Sequence, residues 1–269
     1  MLDLALVLQK GFEAGAAKLF SNAVESGFKA IQTEATAKVP RVNFRVHLSS
    51  MFSKCSQTKT LINPDNPVPL MDLYVSNSFS IAKRTEEGRT IDDFAMIEEI
   101  WEKRRVVLTG SAGTGKSFFT KYFWLAAFEN SHGKIPIYIE LRGINELTTA
   151  SLMSYVFRTV VENNETKEAT QEFEKAVRAG RFVFIFDGFD EIREDRRKVA
   201  ENEIMMLSKL GPDNIILITS RPDELFQAWQ EFWCYHVERL EKKQVIELLN
   251  KISFDPITKK QFIERVKKD

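Results

Sequence analysis

The chain has 269 residues, 43% of them apolar, so it is long enough for one large domain or two small ones. Its 38 Lys and Arg balance its 38 Asp and Glu, which argues against sequence-specific nucleic-acid binding. Two cysteines, Cys55 and Cys234, and three scattered histidines form no metal-ligand pattern. With no signal peptide and no apolar run longer than Tyr122–Phe128, we expect a cytoplasmic protein without a transmembrane segment.

Residues 1–40 are predicted to form an N-terminal helical segment. Apolar side chains recur at roughly helical spacing from Leu4 to Phe28, although three glycines weaken the pattern. One broken helix or two short ones would fit. The segment could serve as a packing or oligomerisation helix, or as a small effector or membrane-active helix.

Residues 41–100 are predicted to be a linker and a small α+β region. Apolar and polar residues alternate over 41–48, which is typical of a half-buried strand. Three prolines, at positions 64, 67 and 69, favour an extended connector. Leu73–Val75 is predicted to be a short strand.

Residues 101–240 alternate between short apolar runs and helical segments, which predicts an α/β fold with a parallel sheet flanked by helices. The predicted strands are Arg105–Thr109, Ile135–Leu141, Phe182–Asp187, Ile215–Thr219 and Trp233–Val237. The predicted helices lie near 117–130, 149–162, 168–179, 195–210 and 222–231. Two more, near 241–251 and 256–267, would begin a separate helical domain over 241–269.

A phosphate-binding motif follows the first of these strands. Gly110-Ser111-Ala112-Gly113-Thr114-Gly115-Lys116-Ser117 fits the pattern G-x-x-x-x-G-K-[ST] at every fixed position. Glycines let backbone N–H groups turn toward phosphate oxygens, and the next helix adds its positive N-terminal end. We expect Lys116 to reach the β- and γ-phosphates and Ser117 to bind Mg²⁺. Phe118, the next residue, is assigned to the same nucleotide-binding set.

An acidic group follows the strand over 182–187. Asp187 stands at the carboxyl end of that strand, where ligands bind in open α/β sheets, and is expected to hold Mg²⁺ through water. Many ATPases carry a catalytic glutamate at the next position, but here it is Gly188. Asp190 or Glu191 could act as the general base instead, or both could only cap the next helix.

A third element is the strand that ends in Ser220 and Arg221. Inserted beside the phosphate-loop strand, it would bring both side chains near the γ-phosphate, where Arg221 could detect that group; a structural salt bridge is the alternative. The charged run over 193–198 is interpreted as a solvated helix face. Because no [NT]-K-x-D guanine motif is present, we expect adenine, so the expected cofactors are ATP or ADP and Mg²⁺.

Together, Gly110–Ser117, Phe182–Glu191 and Thr219–Pro222 resemble the NACHT group of STAND NTPases. The resemblance implies a P-loop NTPase fold of the ASCE type. It matches Lys116, Ser117, Asp187 and Arg221 to the family's nucleotide contacts and Asp190 and Glu191 to its catalytic acids. It also places Leu73–Val75 near the adenine.

The upstream stretches Thr58–Ile62, Pro67–Leu70 and Asp72–Val75 are similar to bacterial NACHT proteins of the antiphage-defence type. The resemblance implies an ATP-controlled switch that hydrolyses ATP slowly, oligomerises with itself and activates an effector. The trigger is unidentified, and the resemblance suggests a phage-derived one. In the family a helical and a winged-helix domain follow, of which only 241–269 has a counterpart. The resemblance therefore implies either a fragment of a longer protein, which we favour, or a minimal relative.

Two other functions remain open at this point. The chain could be an AAA+-like ATPase that turns over rapidly as a remodeller or loader, although no trans-acting arginine finger is identifiable. It could also be an interaction scaffold that binds nucleotide without hydrolysing it. Intact Lys116, Ser117 and Asp187 argue against the scaffold.

Overall fold

The computed structural model describes residues 44–59, 65–81, 90–148, 151–161 and 166–268. Within them a seven-stranded, mostly parallel sheet is flanked by helices, which confirms the predicted α/β P-loop NTPase fold. The helical segment predicted for residues 1–40 lies outside the described part of the chain. None of the described helices is both long and apolar enough to cross a bilayer.

The elements are numbered here in chain order. The helices are α1 (Arg45–Ser56), α2 (Leu70–Leu73), α3 (Asp93–Lys103), α4 (Lys116–Glu129), α5 (Leu152–Val161), α6 (Lys167–Arg178), α7 (Glu194–Leu210), α8 (Lys242–Lys251) and α9 (Pro256–Lys268). The strands are β1 (Gln57–Thr58), β2 (Val68–Pro69), β3 (Phe79–Ile81), β4 (Thr90–Ile91), β5 (Arg105–Thr109), β6 (Ile135–Glu140), β7 (Phe182–Asp187), β8 (Ile215–Ser220) and β9 (Trp233–Val237). Short 3₁₀ turns occur at Leu141–Glu146, Phe189–Glu191 and Glu224–Ala228.

The order of strands in the large sheet is β4-β3-β9-β5-β8-β7-β6. Strands β5 to β9 run parallel, whereas β3 pairs antiparallel with both β4 and β9. Strand β8 lies beside the phosphate-loop strand β5, as the sequence predicted, and it separates β5 from β7. The carboxyl ends of β5, β8 and β7 are therefore neighbours along one edge of the sheet, where the predicted site residues follow.

The sheet is covered by helices that bury its central strands. Every residue of β5 and β8 is buried, as are the first five of β6 and of β7. Helix α4 packs against β6 and β7, and α3 packs against β5 and β8. Since burying one large apolar side chain stabilises a fold by about 1.5–3 kcal/mol, these strands form a rigid platform for the loops at their ends.

The strand predicted over 41–48 is wrong, because its described part lies mostly in α1. Phe44, Leu48, Phe52 and Cys55 recur at helical spacing and are all buried. Val46, which the alternating pattern placed on the buried face, is 52% exposed. Eight residues are too few to separate the two periods, and the helical one becomes clear only when the window extends to residue 55.

The strand predicted at Leu73–Val75 is also wrong. Leu73 ends α2, and Tyr74 and Val75 follow as buried backbone without a strand partner. Side chains of α8 supply hydrogen bonds instead. Gln244 Nε2 donates to the Ser76 carbonyl at 2.6 Å, and Lys251 Nζ donates to the Tyr74 carbonyl.

The helix predicted near 222–231 is shorter than expected and is a 3₁₀ turn at Glu224–Ala228. Asp223 caps it by accepting a hydrogen bond from the Leu225 N–H at 2.9 Å. Phe226 in this turn and Trp229 and Phe232 after it are buried, and the Trp229 ring packs edge to face against both phenylalanine rings. The other helices and strands predicted after residue 101 are confirmed within a few residues.

Asp93 gives the fold a pH dependence that can be measured. Burial raises the pKa of this carboxyl from 3.8 to about 6, even though the Asn77 N–H donates to it at 3.0 Å. A raised carboxyl pKa means that the folded state binds the proton more tightly than the unfolded state. Stability from this group is therefore present below about pH 4 and is lost as the pH rises to about 6.

We expect Asp93→Asn to remove this loss. The variant should unfold with the wild-type free energy near pH 4 and be more stable by up to about 3 kcal/mol at pH 7. Urea titrations at several pH values measure the difference. Asp72→Asn, an exposed carboxylate on the same side of the fold, is the charge-matched control. Parallel pH profiles for wild type and Asp93→Asn would contradict the assignment.

Candidate functional site

The glycine loop, Gly110–Ser117, connects β5 to α4. Gly113 and Gly115 have φ angles of +80° and +90°, a region that glycine adopts without steric cost. A Cβ atom on Gly115 would lie 2.9 Å from Asn77 Oδ1, so neighbouring atoms exclude a side chain there as well. The Gly110 N–H donates to the Ser220 carbonyl at 3.2 Å, which ties the loop to the end of β8.

Lys116 begins α4 and folds back over the glycine loop. Its Nζ donates to the carbonyls of Gly110 at 2.6 Å and Ser111 at 3.0 Å. Thr114 closes the turn by donating its hydroxyl to the same Ser111 carbonyl at 3.0 Å. The ammonium group is thus held at the mouth of the loop, where a phosphate-binding lysine is needed.

The charged residues predicted from three separate motifs converge around Lys116. Burial lowers the pKa of Lys116, and neighbouring charges modify that effect, with the carboxylates raising the pKa and the guanidinium lowering it further. These neighbours are Asp190, Asp187, Arg221 and Glu191. The sheet therefore brings Lys116 close to charged groups that lie more than 70 residues further along the sequence.

Two hydrogen bonds fix the Asp187 carboxylate at the end of β7. Tyr138 donates its hydroxyl to Oδ2 at 2.8 Å, and Thr219 donates its hydroxyl to Oδ1. Thr219 in turn accepts from the Gly188 N–H at 2.9 Å. The sequence reasoning did not identify Tyr138 or Thr219 as site residues, although both lie near the carboxyl ends of strands that flank β7.

Hard oxygen donors suited to Mg²⁺ lie on both sides of the site. Ser117 is exposed at the start of α4, and its carbonyl accepts from the Thr120 hydroxyl at 3.1 Å. Thr120 neighbours the Tyr138 phenol, which orients Asp187. Within the described ranges, no three His, Cys, Asp or Glu side chains form a complete metal site. A Mg²⁺ ion would therefore rely on Ser117, Asp187, water and phosphate oxygens, as it does in nucleotide sites.

Asp190 and Glu191 occupy different environments. Asp190 is paired with Arg221, since Oδ2 lies 3.0 Å from Arg221 Nε and Oδ1 accepts from the Arg221 N–H at 3.1 Å. Glu191 is exposed. Burial of part of its carboxyl raises the Glu191 pKa, Arg142 opposes this, and neighbouring carboxylates add to it. The salt bridge that was the alternative for Arg221 is thus present, and it lies within the site.

Arginine side chains of α7 stabilise the turn that carries Asp190 and Glu191 and the turn beside it. Gly188, with φ of +81°, starts the turn, and Arg197 donates to the Asp190 carbonyl at 3.3 Å. Arg196 donates to the Ile144 carbonyl at 2.7 Å. The charged run over 193–198 is therefore not only a solvated face, because two of its arginines hold backbone carbonyls near the site.

The remaining predicted residues lie in three different environments. Ser220 is buried, and its Oγ has no hydrogen-bond partner in the described part of the chain. A buried hydroxyl without a partner costs free energy, which a ligand that forms a hydrogen bond with it would recover. Ala112 and Gly113 form the exposed tip of the loop, and Phe118 packs against the hydrophobic core.

A cavity of about 620 Å³ lies beside α4 and is lined in part by Tyr74, Phe94, Tyr122 and Lys251. The rings of Tyr74 and Tyr122 stack with centroids 4.5 Å apart. Asn77 donates to the Tyr74 hydroxyl at 3.4 Å and lies close to the glycine loop. Asn77 therefore connects one wall of the cavity, Tyr74, to the glycine loop. Tyr122 and Asn77 were not predicted from the sequence.

Fold and site together define a P-loop NTPase. The family model described as the NACHT domain matches residues 104–255, which is more than half of the chain. The chain therefore belongs to the NACHT family, whose members are generally nucleotide-binding ATPases that use Mg²⁺. This membership confirms the family that the motifs predicted, but it does not show a role in antiphage defence.

Two individual proteins are also similar to this chain. An uncharacterized WD repeat-containing protein of Nostoc sp. (strain PCC 7120 / SAG 25.82 / UTEX 2576) is 22% identical over 174 residues. The match covers 59% of this chain but 11% of that protein, so the chain spans about a tenth of its relative. The structure of C. elegans PCH-2 matches at 14% identity with a TM-score of 0.36, over 58% of this chain and 43% of that one.

Proposed function

We propose that this chain is the ATP-dependent switch module of a NACHT protein, which binds ATP tightly and hydrolyses it slowly. The observation that carries the proposal is the pairing of Arg221 with Asp190 beside Lys116. An arginine held by a carboxylate at this position is available to exchange that partner for a γ-phosphate. Charge-assisted bonds of similar strength in both states make such an exchange reversible.

The residues of the glycine loop would hold the phosphates. Lys116 would release the Gly110 and Ser111 carbonyls and donate to the β- and γ-phosphates instead. Ser117 and Asp187 would hold Mg²⁺, which neutralises charge on the phosphate oxygens. Ser220 Oγ, buried without a partner, would gain one at the γ-phosphate end.

Glu191 is our choice for the general base. Asp190 is occupied by Arg221, whereas the Glu191 carboxyl is exposed and has a raised pKa, which favours proton abstraction near neutral pH. Asp190 would position Arg221 and so respond to the γ-phosphate. Both acids then have roles, but different ones.

The base would occupy the cavity beside α4. Stacked aromatic rings and a volume of about 620 Å³ suit an adenine, and Tyr74 lies within the stretch expected near the base. Because Lys251 also lines this cavity, α8 would respond to nucleotide. We also propose four parts along the chain: a helical segment over 1–40, a linker and small α+β region over 41–100, the NTPase core over 101–240 and the start of a helical domain over 241–269.

We further propose that the protein self-associates when it binds nucleotide and then activates an effector. It would act in bacterial antiphage immunity, in response to a phage-derived trigger. These proposals are supported by the resemblance of the motifs and of the stretches over 58–75 to antiphage NACHT proteins. Residues 1–40 are the candidate effector or support segment.

A switch and a rapidly cycling ATPase differ in turnover and in assembly. We expect ATP with Mg²⁺ to shift the protein to larger species in analytical ultracentrifugation, ADP to leave it monomeric, and steady-state hydrolysis to stay below about 1 s⁻¹, the low end of ordinary enzymes. Asp187→Asn, which weakens the Mg²⁺ site, should abolish the shift. Fast hydrolysis by monomers that do not assemble would overturn the switch in favour of a turnover ATPase.

A further inference from the structure

A second cavity lies at the opposite edge of the sheet from the glycine loop. Its volume is about 360 Å³, and its lining includes Arg104, His132, Lys134, Arg181 and Asp213. Arg104, Lys134 and Arg181 directly precede β5, β6 and β7. Since β5 has five residues that each advance about 3.3 Å, the two sites are separated by roughly 17 Å.

Positive charge is concentrated in this cavity. Three of the lining side chains are cations, and Asp213 is the one carboxylate among its lining residues. Asp213 is engaged by Arg104, whose Nη1 lies 2.6 Å from Oδ1. Burial lowers the pKa of Lys134, Asp213 opposes this, and Arg104 and Arg181 add to it. Lys134 therefore lies close enough to both arginines and to Asp213 for their charges to influence it.

Arg181 is the cation with the least compensation. Its Nε is buried and has no hydrogen-bond partner, and no ion pair links it to any of the described residues. A buried donor without a partner costs free energy that an incoming acceptor would recover. Lys134, by contrast, already donates to the carbonyls of Gly180 at 2.6 Å and Asp213 at 2.7 Å.

Residues with positive φ angles occur around this cavity, as they do in the glycine loop. Seven described residues have positive φ, and three of them, Gly113, Gly115 and Gly188, lie at the nucleotide site. The other four all line the second cavity: Arg104, His132, Gly133 and Gly180. Arg104 and His132 are the two non-glycine residues among the seven. Arg104 ends α3 in the left-handed conformation that is common at helix C-termini, and the other three lie in the turns that lead into β6 and β7.

We propose that this cavity is a second anion site, which binds a small soluble oligophosphate or phosphate ester through Arg181, Arg104 and Lys134. Guanidinium groups match phosphate oxygens in geometry and charge. The cations converge in one recess, which suits a compact anion better than the extended backbone of a nucleic acid. The site is independent of nucleotide binding at Lys116.

Tripolyphosphate is a suitable probe because it is compact and multiply charged. We would measure its binding by isothermal titration calorimetry, without Mg²⁺, to the Lys116→Ala protein, in which the glycine loop is weakened. Arg181→Gln in that background should reduce affinity by at least about tenfold, the effect of losing a charged hydrogen bond. Arg178→Gln removes the same charge from the exposed end of α6, outside the cavity, and should change affinity less than about twofold.

Thermal unfolding without ligand shows whether each variant folds. If Arg181→Gln does not fold, Arg104→Gln is the second variant, because its partner Asp213 is exposed and the pair contributes little stability. Equal affinities for the Arg181→Gln and Arg178→Gln proteins, or no binding at all, would overturn the proposal. If the protein bound vesicles that contain phosphatidylinositol 4,5-bisphosphate, or single-stranded DNA, but not tripolyphosphate, the proposal that the ligand is a small soluble phosphate compound would be overturned.

Discussion

Lys116→Ala is expected to weaken ATP binding about a hundredfold. The substitution removes the ammonium that lies over the Gly110 and Ser111 carbonyls and would bond to the phosphates. A charged hydrogen bond contributes about 1.5–3 kcal/mol, and each 1.4 kcal/mol changes affinity tenfold. Equilibrium titration with a fluorescent ATP analogue measures the loss.

Lys121→Ala is the matched control for this prediction. It removes the same charge from α4 five residues further along, outside the glycine loop. We expect it to bind ATP within about threefold of wild type, consistent with the small effects of substitutions away from the site. Wild-type affinity in Lys116→Ala, with the fold intact by thermal unfolding, would show that nucleotide binds elsewhere.

Glu191→Gln is expected to lower the rate of ATP hydrolysis by about 10²- to 10⁴-fold, the usual contribution of a general base. ATP affinity should change little, because glutamine keeps the size and polarity of the side chain. In the wild type the rate should rise with pH as the Glu191 carboxyl ionises, over a range shifted upward because its pKa is raised. Single-turnover assays with radiolabelled ATP across pH measure both effects.

Asp190→Asn distinguishes the two acids. Loss of its charge should free Arg221 from the ion pair at 3.0 Å and alter the response to ATP more than the chemical step. We expect this variant to assemble with a changed ATP dependence while it retains measurable hydrolysis. If Asp190→Asn stopped hydrolysis and Glu191→Gln did not, the base would be Asp190 instead.

Strands β5 to β8 could be predicted because each is mainly an apolar run that ends at a polar residue. Strands β5, β7 and β9 begin and end where the sequence predicted. Strands β3 and β4 were missed, because they have three and two residues and show no periodicity of their own. Phe79 pairs with Val237, whose position near it in space depends on the whole sheet.

The charged part of the site was predictable because its spacing is set by local geometry. Lys116 and Ser117 begin a helix after a glycine turn, and Asp187 ends a strand. Residues that only orient another site residue could not be predicted from the sequence. Tyr138 is 49 residues from the carboxylate that it orients, and no local pattern marks a tyrosine in a strand as a partner of that group.

The second cavity was also beyond sequence reasoning. Its cations stand one residue before separate strands, where each is typical of an ordinary solvated turn. Only the strand order shows that Arg104, Lys134 and Arg181 share one recess. The same holds for the aromatic cavity beside α4, whose walls come from α2, α3, α4 and α8.

The most direct test of the nucleotide switch is to identify what the protein retains. Purified protein is incubated with ATP and Mg²⁺, desalted and denatured, and the released nucleotide is measured by ion-exchange chromatography. We predict close to one adenine nucleotide per chain, slowly converting from ATP to ADP, with little retained by Lys116→Ala. Recovery of no nucleotide, or of equal amounts from wild type and Lys116→Ala, would contradict a switch built on the glycine loop.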